Sequence, residues 1–190
     1  YLQFEVLHMK LNRNLLVCGI FTIMMITLSL SGCIGGNYGG EMSNVDAADI
    51  VVVEDAPGFE YLGSRAMTVS EVSREYVEMP DVAGAAEGLY QDTNAVDHYI
   101  HAIELESSSA AEGFVEQYKA TFTPLSTGER FAEESFNEHG ATRITTYVTS
   151  GGTQAARYKY IWSNENFVIV AGGNSADPAA ILDLAEATGY

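Results

Sequence analysis

From Leu15 to Leu30 the chain carries no charged residue and is almost wholly apolar, and a glycine-rich stretch, Gly35-Gly36-Asn37-Tyr38-Gly39-Gly40, follows at once. These two features divide the sequence. An apolar run of that length belongs in a bilayer or in a secretory signal, so only what lies beyond the glycines can build a water-facing domain. The first plausible start is Met9, and residues 1–8 are read as upstream or extraneous and excluded from fold reasoning. From Met9 a short basic segment with Lys10 and Arg13 leads into the apolar run, and small residues Ser31 and Gly32 precede Cys33. That is the three-part layout of a secretory signal, spanning 9–32.

Leu30-Ser31-Gly32-Cys33 resembles the lipobox of prokaryotic lipoproteins: Leu, then Ala or Ser, then Gly or Ala, then Cys. The resemblance implies that the sulfur of Cys33 receives a diacylglyceryl group and that cleavage leaves Cys33 as the new first residue. The continuation Cys33-Ile34-Gly35-Gly36 is most similar to archaeal lipoproteins of the methanogen type. The resemblance covers only about the first quarter of the chain; the folded part matches no named family on its residues. An uncleaved helix is the alternative, because Leu15 to Ile34 is long enough to cross a bilayer core of about 30 Å at roughly 1.5 Å per residue. Both readings place the domain on the extracytoplasmic face of the membrane. Residues 33–49 then form the lipid anchor and a tether, whose flexible part reaches roughly 20 to 24 Å.

Removing residues 1–32 takes Lys10 and Arg13 from nine basic residues and Glu5 from 26 acidic ones, leaving a net charge of −18. Such a charge excludes nucleic acid as a partner, since phosphates need Lys and Arg to displace their counterions. It also opposes a domain lying flat on anionic lipid. Cys18 leaves with the signal and Cys33 is consumed by the lipid, so no disulfide is expected in the domain.

The spacing of apolar residues over 50–190 predicts one α+β domain. Its antiparallel sheet has about five to six strands, with about three helices mainly on one face. Ile50 to Val53 and Phe59 to Gly63 read as strand-like, and Thr68 or Ser70 caps a helix to about Val77. Glu87 to Tyr90 and Ala95 to Glu106 read as extended, with Tyr99, Ile103 and Leu105 on one face of the second and His98, Ile100 and Ala102 on the other. Ser108 or Ser109 caps a helix whose apolar side is Phe114, Val115 and Tyr118, and Pro124 follows it. After a polar loop, three strands (141–149, 154–162 and 167–171) are joined by Ser-Gly-Gly and Ser-Asn-Glu-Asn turns. Asp177, Pro178 and Gly189 delimit a last helix with a stripe of Ile181, Leu182, Ala185 and Thr188. The strand-helix succession at Ile103–Tyr118 and again at Ile169–Ala187 suggests a weak internal repeat.

No catalytic motif emerges from these elements, and no cofactor or metal site is expected. His98 and His101 fall on opposite faces of a strand and cannot share an ion. His139 falls in a turn, and Asp92-Thr93-Asn94 with Asp97 reads as an Asp/Asn turn rather than a calcium loop. Glu133, Glu134 and Glu138 read as a solvated acidic face, and Gly173-Asn174-Ser175-Ala176-Asp177 as the loop before a capped helix. The speculative ligand face is the aromatic row Tyr158, Tyr160 and Trp162, alternate residues of one strand, which is a core row unless exposed. The expected function is a noncatalytic binding or accessory domain, held to the membrane through the lipid on Cys33 and meeting a small ligand or an envelope protein. The alternatives are a cell-envelope hydrolase using carboxylates or an unrecognised metal site, and a structural envelope component.

Overall fold

The computed structural model describes residues 45–190. Cys33, the signal and the glycine-rich stretch lie outside them. Seven strands form one antiparallel sheet in the order β1-β2-β3-β7-β6-β5-β4: β1 (Phe59–Ala66), β2 (Val82–Asp92), β3 (Asp97–Leu105), β4 (Phe131–Phe136), β5 (His139–Ser150), β6 (Thr153–Asn164) and β7 (Phe167–Gly173). Four helices accompany it: α1 (Ala47–Ile50), α2 (Val69–Glu75), α3 (Ser108–Ala120) and α4 (Pro178–Ala187). Among the described residues no helix is long and apolar enough to cross a membrane.

The α+β class stands, with two corrections. Among the described residues the sheet has seven strands rather than five or six, and four helices cover both of its faces rather than mainly one. Ala47 and Ile50 of α1 and Ile181, Leu184 and Ala185 of α4 share a core with Tyr90, Ile100, Tyr160 and Trp162. Val72 of α2 and Phe114, Val115 and Tyr118 of α3 share the opposite core with Ile103, Leu105, Ile144 and Ile161. The reason lies in the central strands. Phe167 through Ala171 of β7 are all buried, a continuous apolar run that only two covering layers can satisfy. The two strand-helix units send α3 and α4 to opposite faces, so their likeness in sequence does not become a likeness in packing.

The extra strand is β4, in what reads as a polar loop. Its Glu133 and Glu134 suit an edge strand, where charge discourages further pairing. Asn137 and Glu138, both at positive φ, close it tightly onto β5, with Phe136 opposite His139. Ile50 to Val53 is not a strand. Asp46 and Asp49 form a reciprocal capping box that starts a single helical turn, and Ile50 and Val51 end it buried against the sheet. The folded unit therefore begins ahead of residue 50.

The remaining elements follow their local chemistry. Thr68 caps α2 with Glu71 reaching back, and Ser107, one residue ahead of the expected Ser108, caps α3. Gly151 and Gly152, both at positive φ, make the turn between β5 and β6. Asp177 caps α4 with Pro178 at the first helical position. Leu184, not Leu182, completes the buried stripe of α4.

Candidate functional site

Tyr160 and Trp162 are each 1 % exposed and belong to the core under α4. Trp162 donates its indole N–H to the backbone oxygen of Tyr190 at 3.1 Å and meets Phe136 edge-on. Tyr158 alone of the row is half-buried, with the Arg143 guanidinium 5.8 Å from its ring centre. The aromatic row is thus a wall of the core, not an open ligand platform.

The histidines lie as the alternation of β3 requires. His98 sits on the α1/α4 side, its ring edge-on to Phe59 and its Nε2 3.5 Å from an oxygen of Asp92. His101 sits on the α2/α3 side, and no group of three or more His, Cys, Asp or Glu among the described residues could hold a metal ion. Asp92 accepts from the backbone N–H groups of Asn94 and Val96, the work of a turn residue. Glu133 accepts from the Thr142 hydroxyl, and Glu134 pairs with Arg143 at 2.9 Å. His139 opens β5 and is half-buried. Asp177 accepts from the N–H of Ala179 and caps α4, so Gly173–Asp177 is a helix entry.

The densest polar constellation lies between the sheet and α2/α3, and sequence reasoning missed it. The Tyr76 hydroxyl contacts Nδ1 of His101 at 2.5 Å, and His101 Nε2 lies 3.0 Å from Glu87. Glu87 and Glu71 both accept from Arg65, at 2.6 and 2.9 Å. Burial pushes the His101 imidazole below its ordinary value, and so the ring is neutral at pH 7. Burial alone would raise the Glu87 carboxyl, but hydrogen bonds from His101 and Arg65 outweigh it and hold the carboxyl low. A neutral ring beside an ionised carboxylate carries its proton on Nε2, and Nδ1 then accepts from Tyr76.

A second line of groups crosses the same face. Tyr99 of β3 leans over Gly172 of β7 toward Lys159 of β6, and a Cβ on Gly172 would lie 2.4 Å from the Tyr99 hydroxyl oxygen. Lys159 Nζ donates to Glu75 at 2.9 Å and stands 5.7 and 5.9 Å from the ring centres of Tyr76 and Tyr99. Burial alone would lower this ammonium, yet Tyr99, Tyr118 and Glu75 raise it overall, so it stays charged.

The Tyr76–His101–Glu87 chain has the connectivity of a proton relay but not its energetics. Burial drives the Tyr76 hydroxyl well above its usual range, and a base of that strength keeps its proton at neutral pH. Thr68, through its backbone N–H first, and then Arg65 draw the Glu71 carboxyl down to about 2, so it cannot act as a general acid either. Tyr76 is 7 % exposed and lines neither of the two described hollows. The chain ties α2 to β2 and β3. The signal that could have placed His101 here was its shared parity with Tyr99 and Ile103; nothing in the sequence marked Tyr76 or Lys159 as its neighbours.

Two open concavities stand out among the described residues. One, of about 520 Å³, lies between the residues after α1 and the end of α4, with Asp49, Glu54 and Asp55 beside Val52, Val53 and Tyr190. Its floor is held by Tyr90, which donates to the Val51 carbonyl oxygen at 2.5 Å and accepts from the Val53 N–H at 3.0 Å. The other, of about 850 Å³, runs beside α2, from Val69 and Ser73 to Met79 and Pro80. No protein-family model matches the chain. Comparison with the curated proteins finds no match either.

Proposed function

We propose that the chain is a lipoprotein anchored on the extracytoplasmic face of the membrane through Cys33, and that residues 45–190 are a noncatalytic binding or accessory domain. The observation that carries this is Leu30-Ser31-Gly32-Cys33, placed at the end of a charge-free run that begins just after Lys10 and Arg13. A membrane signal of this kind needs a mobile spacer and a domain that starts soon afterwards. Val45 packs against the core and Asp46 caps α1, so the folded domain begins within a dozen residues of Cys33. The noncatalytic half of the reading is supported by the burial of the Tyr76–His101–Glu87 chain, none of whose members lines either described hollow. The hollow beside α1, apolar in Val52 and Val53 and acidic in Asp49, Glu54 and Asp55, suits a small ligand bearing positive charge.

Intact-mass measurement on protein extracted from membranes tests the anchor. A chain beginning at Cys33 with the added mass of a diacylglyceryl group is expected, and Cys33→Ala is expected to stay unprocessed. A soluble chain beginning at Met9 without acyl mass would sink the reading. Native mass spectrometry of the same extract reads any retained ligand.

A further inference from the structure

Helix α2 divides its side chains between two tasks. Thr68, Glu71 and Glu75 are committed to the fold: Thr68 and Glu71 cap the helix, Glu71 also holds Arg65, and Glu75 holds Lys159. Val72 is the residue the helix buries. Val69, Ser70, Ser73 and Arg74, neighbours at spacings of three and four, instead line the open hollow of about 850 Å³ together with the returning segment Glu78-Met79-Pro80. Val69 is 51 % exposed, a large apolar side chain left to water on this wall.

The polar side chains of this hollow are left unsatisfied by the rest of the domain. Ser70, Ser73, Arg74 and Glu78 make no side-chain hydrogen bond or ion pair with any described residue. For Arg74 that departs from the pattern elsewhere. Arg65, Lys119, Arg143 and Lys159 pair with carboxylates, and Arg130 and Arg157 donate to backbone oxygens. Among the described residues Arg74 alone is a free cation, in a chain whose carboxylates outnumber its basic groups 26 to nine. On a continuous helix Arg74 and Glu78 would stand four apart and could pair. The helix stops at Glu75 instead, because Tyr76, held by its hydroxyl on His101, takes a non-helical backbone with φ −123° and ψ −97°. Two opposite charges therefore line one hollow without joining.

We propose that this hollow binds a small apolar zwitterion, an amino acid or a short peptide with both ends free, its carboxylate on Arg74, its ammonium on Glu78 and its apolar body against Val69, Met79 and Pro80. The proposal rests on the binding-domain reading above and is independent of the anchor. Charge complementarity selects the occupant. A plain anion would meet Glu78 and a plain cation Arg74, while an uncharged apolar compound would strip water from both charges and give nothing in its place. A guanidinium takes a carboxylate through two parallel hydrogen bonds, and the Ser70 and Ser73 hydroxyls on the same wall can donate to its remaining lone pairs. The hollow also lies within the roughly 300 to 1,000 Å³ of small-molecule clefts. Because it is open, each charge keeps part of its water, and the affinity expected is weak and reversible.

The test is isothermal titration of the full chain, extracted in detergent, with L-leucine and with leucyl-leucine, two sizes of the same zwitterion. Saturable one-site binding of at least one is expected, and the tighter of the two sets the size of the ligand. N-acetyl-leucine, which lacks the ammonium, and leucine amide, which lacks the carboxylate, are each expected to bind about tenfold more weakly, as is the parent ligand to Arg74→Gln or Glu78→Gln. Both residues are exposed, so an unchanged urea midpoint is expected for these variants. Glu54→Gln, in the hollow beside α1, is expected to leave the binding as it was. Binding of neither zwitterion at millimolar concentration overturns the proposal and leaves the anchor and the hollow beside α1 to their own tests. N-acetyl-leucine or leucine amide binding as tightly as leucine overturns the zwitterion. Weakening by Glu54→Gln and not by Arg74→Gln moves the ligand to the hollow beside α1 and overturns the site.

Discussion

Gly88 and His101 show how closely single residues are fitted here. A Cβ on Gly88 would lie 2.2 Å from the carbonyl oxygen of Val51, a backbone atom fixed by its bond from the Tyr90 hydroxyl. Neither can yield without lifting α1 from the sheet, and overpacking of that kind costs about 1 to 3 kcal/mol. Gly88→Ala is therefore expected to lower the urea midpoint by an amount at the upper end of that range, whereas Gly113→Ala, with open space at the same position, is expected to leave it unchanged or raise it. His101 makes a prediction in pH. Its folded-state value lies below the ordinary 6.5, so below that pH the unfolded chain binds more protons than the folded one. Stability is then full above about pH 6.5 and falls as the solution is acidified through the lowered value. In His101→Gln the slope of unfolding free energy against pH should shrink between pH 6.5 and 5; an unchanged slope there would show that His101 is not the group responsible.

The individual elements differ in how much of their form was legible in the sequence. The hairpin of β5 and β6, the turn into β7 and the two ends of α4 could be read because Gly-Gly, Asn and Asp-Pro impose backbone geometry locally. β4 could not, because an edge strand bearing Glu133 and Glu134 has the composition of a loop. α1 could not, because β-branched Ile50 to Val53 outweighed the capping pair of Asp46 and Asp49. The second covering layer was written in the unbroken apolar run of Phe167 to Ala171, since alternation is the mark of one-sided burial. The polar constellation was beyond reach for another reason: Tyr76, His101 and Lys159 come together only through the β3–β7–β6 register and the docking of α2. At this scale α4 offers a clear comparison. Leu184 is fully buried and Leu182 only partly, so Leu184→Ala is expected to cost about 2 to 5 kcal/mol and Leu182→Ala about 1, read by chemical denaturation.

For the whole molecule, the dominant long-range term is self-repulsion. With 26 acidic residues against nine basic ones, added salt screens far more unfavourable pairs than favourable ones. The melting temperature is expected to rise between 0.05 and 1 M sodium chloride, as followed by calorimetry; a fall would mean that the surface ion pairs of Arg65, Lys119 and Lys159 outweigh the net charge.

The sheet order has a kinetic consequence. β1 reaches β2 through α2 and β2 turns directly into β3, β4 through β7 are joined by tight turns, and the strands of these two groups meet only where β3 lies against β7. The β4–β7 meander closes cheaply in loop entropy, whereas its union with β3 must wait for the last strand of the chain to emerge. Until then β3 presents a bare apolar edge, the segment a chaperone would have to shield during synthesis. A nick in the connection between α3 and β4 should leave two pieces able to find each other again along that one seam.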